Sequence, residues 1–165
     1  MVSARKIRGF TLIELMIIIA LLAIVISIAV PNFTQFIRNN NVQAKTDELN
    51  SFLHYARAQA IATRKPYEVV FTSIGTKITL NQKGKSTDRE MEVNTAKAIV
   101  RGSGSATSIV EYLPSGAVSA EGALSVCYDN DAANGYVIEI RSSGLTQRHP
   151  RGRQADGSAL TNCTL

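Results

Sequence analysis

The chain has few of the residues on which enzymes and metal proteins depend. Its 165 residues include two histidines and two cysteines. His54 and His149 show no metal-ligand spacing, so a zinc site is not expected. Neither Ser115 nor Ser142 has the histidine and carboxylate partners of a nucleophile, and no glycine-rich phosphate loop is present. We therefore expect neither an enzyme nor a bound cofactor.

Charge is also scarce near the N-terminus. Glu14 is the only charged residue between positions 10 and 30, a segment that follows the basic residues Arg5, Lys6 and Arg8. As a helix that rises about 1.5 Å per residue, this segment would be roughly 31 Å long, enough to cross the ~30 Å hydrocarbon layer of a membrane. An acidic residue at the centre of such a helix costs roughly 2.5–3.5 kcal/mol in insertion experiments, so Glu14 needs an explanation.

The bulk composition allows one modest domain beyond this segment. About 130 residues remain, and at that size roughly two thirds of the chain's surface can be buried. The net charge is +5, and loss of the three basic residues before Gly9 would reduce it to +2. The basic character is therefore mostly a feature of N-terminal targeting, and the remaining chain has no strong electrostatic need for an acidic partner.

Three interpretations of the N-terminal segment compete. In a secretory signal, cleavage would follow the small-x-small sequence Ser27-Ile28-Ala29, but the apolar stretch exceeds the usual ~7–15 residues and contains Glu14. In a signal anchor, the basic flank stays in the cytoplasm and the rest lies outside, which leaves Glu14 unexplained. In the third interpretation, the chain is cut between Gly9 and Phe10.

The third interpretation gives Glu14 a role. With Phe10 as the first residue, Glu14 lies one helical turn further on, near the positive end of the helix dipole. When such helices pack side by side in a filament, this carboxylate can pair with the N-terminal amine of a neighbouring subunit and fix the axial register. A buried charge is tolerated when it is paired and costly when it is alone.

The sequence GFTLIELMIIIALLAIVISIAVPNF, residues 9–33, closely resembles the class III signal and N-terminal helix of type IV pilins and type II secretion pseudopilins. The resemblance implies that a prepilin peptidase cuts after Gly9 and that Phe10 becomes N-methylated. It also implies that Glu14 takes the place of the family's glutamate and that Pro31 takes the place of its helix-kinking proline.

The helical pattern continues after Pro31, which is expected to bend or loosen the helix because proline lacks an N–H. Apolar residues again recur every three or four positions until Lys65-Pro66, so the sequence predicts one helix from Phe10 to about Thr63, roughly 80 Å long. The expected parts are a removed leader 1–9, a hydrophobic helix 10–31, an amphipathic helix 32–65 and a globular head 66–165.

The head has the pattern of short, closely spaced strands. Residues 67–73 and 77–82 flank Ile74-Gly75-Thr76 and predict a β-hairpin, and the last twenty residues are polar and irregular. Further strands are predicted within 90–94, 98–103, 107–118, 123–130 and 135–144. Because no helical crossovers separate them, we expect an α+β fold of the pilin type, with an antiparallel sheet or two small sheets packed on the helix.

Both cysteines lie late in the chain, at Cys127 and Cys163. Beyond a membrane-targeting segment, such a pair predicts one disulfide in an oxidising compartment, whereas in a cytosolic protein it would remain two free thiols. A bond closing a loop of about 37 residues would stabilise the fold by on the order of 3–4 kcal/mol in the chain-entropy model.

Two stretches of the head narrow the resemblance. Residues 49–71 and the sequence VIEIRSSG at 137–144 are similar to the GspH/FimT/FimU group of minor subunits. Members of that group are low-abundance subunits that prime assembly at or near the filament tip. The resemblance therefore implies a structural subunit whose partners are other minor pilins, the major pilin, the prepilin peptidase and the inner membrane.

A basic cluster in the tail raises the alternative of DNA binding. Some FimT proteins bind DNA through a Gly-Arg-x-Arg element, but the matching place here, Gly144 to Gln147, lacks both arginines. Arg148, Arg151 and Arg153 follow it and would contact phosphates in a DNA receptor, or form a solvated loop. No aromatic residues are interleaved to stack on bases, as a binder of single-stranded DNA would need. The departure from the motif, together with the paired cysteines, favours a FimU-like adaptor at the tip.

One further motif is faint. Asp129-Asn130-Asp131 with Gly135 has oxygen ligands at spacings that suit calcium, and the same residues are expected in a polar turn between strands.

The resemblance thus implies a minor pilin, held in the bacterial inner membrane with its head in the periplasm and then assembled into an extracellular type IV pilus. The alternatives are a minor pseudopilin of a type II secretion system and a DNA-binding pilin for natural transformation.

Overall fold

The computed structural model describes residues 10–71, 76–85, 87–104 and 108–163. Within these ranges one α-helix, α1 (Leu12–Thr63), precedes eight strands, and a short 3-10 helix (Ala132–Asn134) lies between the sixth and the seventh. The strands are β1 (Tyr67–Phe71), β2 (Lys77–Gln82), β3 (Thr87–Glu92), β4 (Ile99–Gly104), β5 (Ile109–Tyr112), β6 (Gly122–Cys127), β7 (Tyr136–Ile140) and β8 (Thr146–Arg148). The chain divides into two units between Ile37 and Arg38.

The first unit contains the apolar part of α1. Every residue from Phe10 to Ile37 is exposed, and the helix is long and apolar enough, by length and composition, to cross a membrane. It stays helical through Pro31, and the Asn32 side-chain amide donates to the Ile28 carbonyl at 3.0 Å. A helix that is apolar on all sides needs an apolar environment around it, either lipid or other helices.

The second unit consists of two antiparallel four-stranded sheets packed on the second half of α1. The strand order is β3-β2-β1-β5 in the first sheet and β4-β6-β7-β8 in the second. The buried helix residues recur at spacings of three and four, as the sequence pattern predicts: Val42, Thr46, Leu49, Phe52, Leu53, Ala56 and Ala60. One long helix followed by antiparallel sheets confirms the α+β prediction.

The structure corrects the prediction of an irregular tail. Residues Thr146–Arg148 form β8, which pairs with β7 through Ile140↔Thr146 and Ile138↔Arg148. The polar side chains of β8 were a poor strand signal, but they find partners on the helix: the Thr146 hydroxyl donates to Asn50 Oδ1 at 2.6 Å. The predicted β1–β2 hairpin is present, although Ile74 and Gly75 of its turn lie outside the described residues.

The rest of the tail covers the outer face of the second sheet. Leu160 and Cys163 form a small buried cluster with Cys127, Ala132 and Val137. The structure joins Cys127 to Cys163, with their Cα atoms 6.2 Å apart. This segment is held in place by the disulfide, by the buried Leu160 side chain and by hydrogen bonds, including those from the Gly152 N–H to the Gly135 carbonyl and from the Ser125 hydroxyl to the Cys163 carbonyl.

Candidate assembly surfaces

Glu14 closes a capping box at the start of α1. The backbone N–H and the hydroxyl of Thr11 each donate to Glu14 Oε2 at 3.0 Å, and the Glu14 N–H donates to the Thr11 hydroxyl at 3.3 Å. This arrangement satisfies donors that the first helical turn leaves free. Both bonds to the carboxylate use Oε2, and a carboxylate has acceptor sites on both oxygens. Glu14 can therefore cap its own helix and still accept from a neighbouring amine through Oε1.

The capping partner Thr11 was not identified from the sequence, although a signal was present. Thr11 and Glu14 form the T-x-x-E pattern that marks a capping box before an apolar run. Phe10 precedes it with 83% of its surface exposed. Gly9, the other half of the expected cleavage site, lies outside the described residues.

The arginines of the tail are held by other residues of the head. Arg148 Nη1 lies 2.6 Å from Asp47 Oδ1 on α1. The guanidinium carbons of Arg148 and Arg151 lie 5.4 and 5.6 Å from the centre of the Tyr136 ring, and Arg151 Nε donates to the Tyr136 hydroxyl at 3.2 Å. These contacts give the two arginines a packing role and lower the positive charge that the loop offers to a phosphate.

The remaining basic residues of the cluster are also engaged. Arg153 Nη1 donates to the Gly157 carbonyl at 3.2 Å. His149 is buried, and its Nε2 lies 3.1 Å from Glu139 Oε2. DNA binding by Arg148, Arg151 and Arg153 stays a prediction from the sequence.

Arg57 joins two loops to the helix, a role that nothing in the sequence indicates. Its Nε donates to the Gly116 carbonyl at 2.9 Å and its Nη2 to the Ser143 carbonyl at 3.4 Å. Next to this contact, Glu121 accepts a hydrogen bond from the backbone N–H of Ser142 at 3.0 Å. Hydrogen bonds from Ser142 hold the pKa of the Glu121 carboxyl below its usual range.

The outer face of the first sheet carries a compact ion pair. Lys83 Nζ lies 2.6 Å from Glu111 Oε1 and 3.7 Å from Glu68 Oε1. The hydrogen bond to Glu111 raises the pKa of the Lys83 ammonium group. Lys83 is exposed and the two glutamates are half-buried, and ion contacts of this kind near the surface contribute little to stability.

The residues of the possible calcium motif, Asp129 to Asp131 and Gly135, form a hydrogen-bonded turn. Both oxygens of Asp131 accept from Asn134, one from its backbone N–H at 3.3 Å and one from its side-chain amide at 2.8 Å. Among the described residues, no group of three or more histidine, cysteine or acidic side chains is arranged to hold a metal ion. The other isolated candidate, His54, contacts the Thr146 hydroxyl through Nε2 at 3.2 Å.

Comparisons with known proteins agree with this architecture. The family model described as the prokaryotic N-terminal methylation motif matches residues 4–30. The crystal structure of the type IV minor pilin FimU from Pseudomonas aeruginosa PAO1 is similar, with a TM-score of 0.64 and 21% identity over 78% of this chain and 98% of that chain. The minor pseudopilin EpsH of the Vibrio cholerae type 2 secretion system gives a TM-score of 0.54 and 13% identity, over 68% of this chain and 99% of that chain.

A curated relative matches at the N-terminus. The type IV major pilin protein PilA of Myxococcus xanthus DK1622 is 54% identical over 41 residues, which are 24% of this chain. The match spans about a fifth of the length of that relative, 19%.

A second family model matches more than half of the chain, mostly in the head. The family model described as type II transport protein GspH matches residues 45–144, which include the second half of α1 and the strands up to β7. The family and the fold are those of structural pilin subunits, as the sequence analysis predicts. The chain belongs to the GspH family of minor pilin and pseudopilin subunits, and it carries the N-terminal methylation motif of prepilins.

Proposed function

We propose that the chain is a minor subunit of a type IV pilus, which primes assembly and links other minor pilins at or near the tip. The observation that carries this proposal is that one chain contains both an exposed apolar helix and a head of the GspH type. The helix would be held in the inner membrane with the head in the periplasm, and would later pack among the helices of the filament.

The choice of a pilus rests on two comparisons. The N-terminal segment is 54% identical to that of a type IV major pilin. The TM-score with FimU, 0.64, is also higher than the score with the pseudopilin EpsH, 0.54. The family description, which names type II transport, favours a minor pseudopilin of a type II secretion system as the second candidate.

We further propose that cleavage between Gly9 and Phe10 frees the amine that Glu14 of a neighbouring subunit accepts. The carboxylate has a free oxygen for this contact, because the capping box uses only Oε2. In a filament core that excludes water, an unpaired carboxylate costs about 3–5 kcal/mol, so the pairing would set the axial register between subunits.

Three variants of this site separate the capping role from the pairing role. Glu14→Gln keeps an oxygen that can cap the helix but removes the negative charge, Glu14→Ala removes both, and Thr11→Ala weakens the cap but keeps the charge. In the native host, we expect all three to be cleaved normally. Recovery of the Glu14→Gln and Glu14→Ala chains in sheared pili is expected to fall by more than about tenfold. A tenfold change corresponds to about 1.4 kcal/mol, which is less than the cost of about 3–5 kcal/mol for breaking a buried ion pair. Thr11→Ala should remain close to wild type.

Sheared pili from the native host also distinguish a type IV pilus subunit from a subunit of a type II secretion system. Wild-type chain in sheared pili supports the pilus subunit. If the chain is absent from pili and its deletion stops protein secretion instead, the pseudopilin candidate is correct. Wild-type recovery of Glu14→Gln in pili would contradict the pairing of Glu14 with an amine.

A further inference from the structure

The two sheets of the head have four edges, and three of them are protected. An open edge strand presents unpaired N–H and C=O groups, and natural proteins cover, charge or shorten such edges. β3 has the sequence TDREME, in which four of six residues are charged, and Lys45 Nζ donates to its Glu92 carbonyl at 3.0 Å. At β5, the Ser119 N–H donates to the Glu111 carbonyl at 3.0 Å. β8 is three residues long.

β4 is less protected than these three edges. It is six residues long, has the sequence IVRGSG with one charge at Arg101, and forms the end of the second sheet. Its register with β6 is regular along the whole strand, from Ile99↔Cys127 to Gly104↔Gly122. Among the described strands, none lies on its other side.

The hydrogen-bond pattern of the sheet shows which groups of β4 face outward. The His149 N–H donates to the Val137 carbonyl, so the backbone groups of Val137 point towards β8. Because backbone direction alternates in antiparallel strands, the groups of Ser125, opposite Val137, point towards Arg101 of β4. The next residues along β4, Val100 and Gly102, must then point their N–H and C=O groups away from the sheet.

These outward groups have no partner in the part of the chain that the structure describes. Apart from the ladder with β6, no hydrogen bond there involves Val100 or Gly102. The side chains after Arg101 are small, because Gly102, Ser103 and Gly104 complete the strand. An extended backbone could therefore approach β4 closely and pair with it.

We propose that the outer edge of β4 binds an extended strand of a different pilin-like subunit, which adds a fifth strand to the second sheet. The proposal rests on the proposed function, because it names the surface through which the head joins its neighbour. Main-chain hydrogen bonds supply the affinity in this mode of recognition, and side chains next to them supply the selectivity. Arg101, whose Nη1 lies 3.5 Å from Asn130 Oδ1, favours a strand that places a carboxylate beside it.

A second copy of this chain does not fit the site as well. Its β3, β5 and β8 edges are protected in the same way, so it could offer only its own β4. Two copies joined through β4 would form a closed pair about a two-fold axis, and neither copy would keep this edge for a further neighbour. A subunit that links others needs a heterologous contact.

Amide hydrogen exchange tests the proposal on the full chain, compared between detergent micelles and sheared pili. We expect the amides of Val100 and Gly102 to exchange more than about tenfold more slowly in pili, because each gains a hydrogen bond there. Glu90 of β3 is the control. Met91 and Arg89 direct their backbone groups towards β2, so the Glu90 amide between them faces outward on a protected edge. We expect it to exchange rapidly both in micelles and in pili.

Two lysine substitutions give a matched pair for the same experiment. Ser103→Lys places a charge on the β4 edge, and Thr87→Lys places one on the β3 edge. We expect only Ser103→Lys to lower recovery in pili, by about tenfold, while both variants have the exchange pattern of the folded head in micelles.

Each outcome has one meaning. Absence of the wild-type chain from pili overturns the proposed function. Its presence there with unchanged exchange at Val100 and Gly102 overturns the edge contact alone. A dimer in micelles with these two amides already protected would show that a second copy is the partner, and would also overturn the proposal.

Discussion

Replacing Gly144 with alanine is expected to destabilise the head by about 2–5 kcal/mol. Gly144 closes the β7–β8 turn at a φ of +75°, where a side chain costs about 1–2 kcal/mol. A Cβ at this position would also lie 1.9 Å from the Gly116 carbonyl oxygen. Forced displacement of packed groups adds about 1–3 kcal/mol. The loop around Gly116 cannot withdraw easily, because Arg57 Nε holds the same oxygen at 2.9 Å.

Gly84→Ala is the matched control, because it measures the cost of a side chain at positive φ without a steric contact. Gly84 has a φ of +82°, and an added Cβ there would meet nothing within 4 Å. Thermal unfolding of the two variants, followed by circular dichroism, should show a larger loss of stability for Gly144→Ala. The difference should be about 1–3 kcal/mol, the cost of displacing the groups that the new Cβ meets. Equal losses would mean that the approach of Gly144 to Gly116 does not contribute to stability.

Reduction of the Cys127–Cys163 disulfide is the second change with a large expected effect. The bond closes a loop with a sequence separation of 36, for which the chain-entropy model gives about 4 kcal/mol. Besides this bond, the last residues of the tail contact the second sheet through Leu160 and through the hydrogen bond from the Ser125 hydroxyl to the Cys163 carbonyl at 2.7 Å. We expect reductant to lower the unfolding midpoint of the full chain in denaturant and to release the tail first.

The double variant Cys127→Ala with Cys163→Ala separates the bond from other effects of the reductant. Its unfolding midpoint should lie near that of the reduced wild type and should not respond to reductant. If thiol titration shows complete reduction and the wild-type midpoint stays the same, the bond does not stabilise the head.

The long helix and the class of the head could be predicted because their signals are local. The apolar run after Gly9 and the return of apolar residues at spacings of three and four after Pro31 fix one helix, which the structure gives as Leu12–Thr63. Strands such as β7, with the sequence YVIEI, are rich enough in apolar and β-branched residues to be recognised alone. The pairing of only two cysteines leaves a single intramolecular choice.

The other features depend on contacts between distant residues. β8 is polar, and its Thr146 and Arg148 find partners on α1, about one hundred positions earlier. Arg57 looks like any charged residue of an amphipathic helix until Gly116 and Ser143 are brought to it. The sequence likewise does not show that Arg148 pairs with Asp47 on α1 or that Arg148 and Arg151 both contact Tyr136.

The most direct test of the central claim is the intact mass of the mature protein, extracted from membranes of its native host. A filament subunit of this family should begin at Phe10 and carry one added methyl group, since the methylation motif covers residues 4–30. A chain that begins at Val30 would be an ordinary secreted protein. That mass would contradict the filament subunit and every role assigned to Glu14.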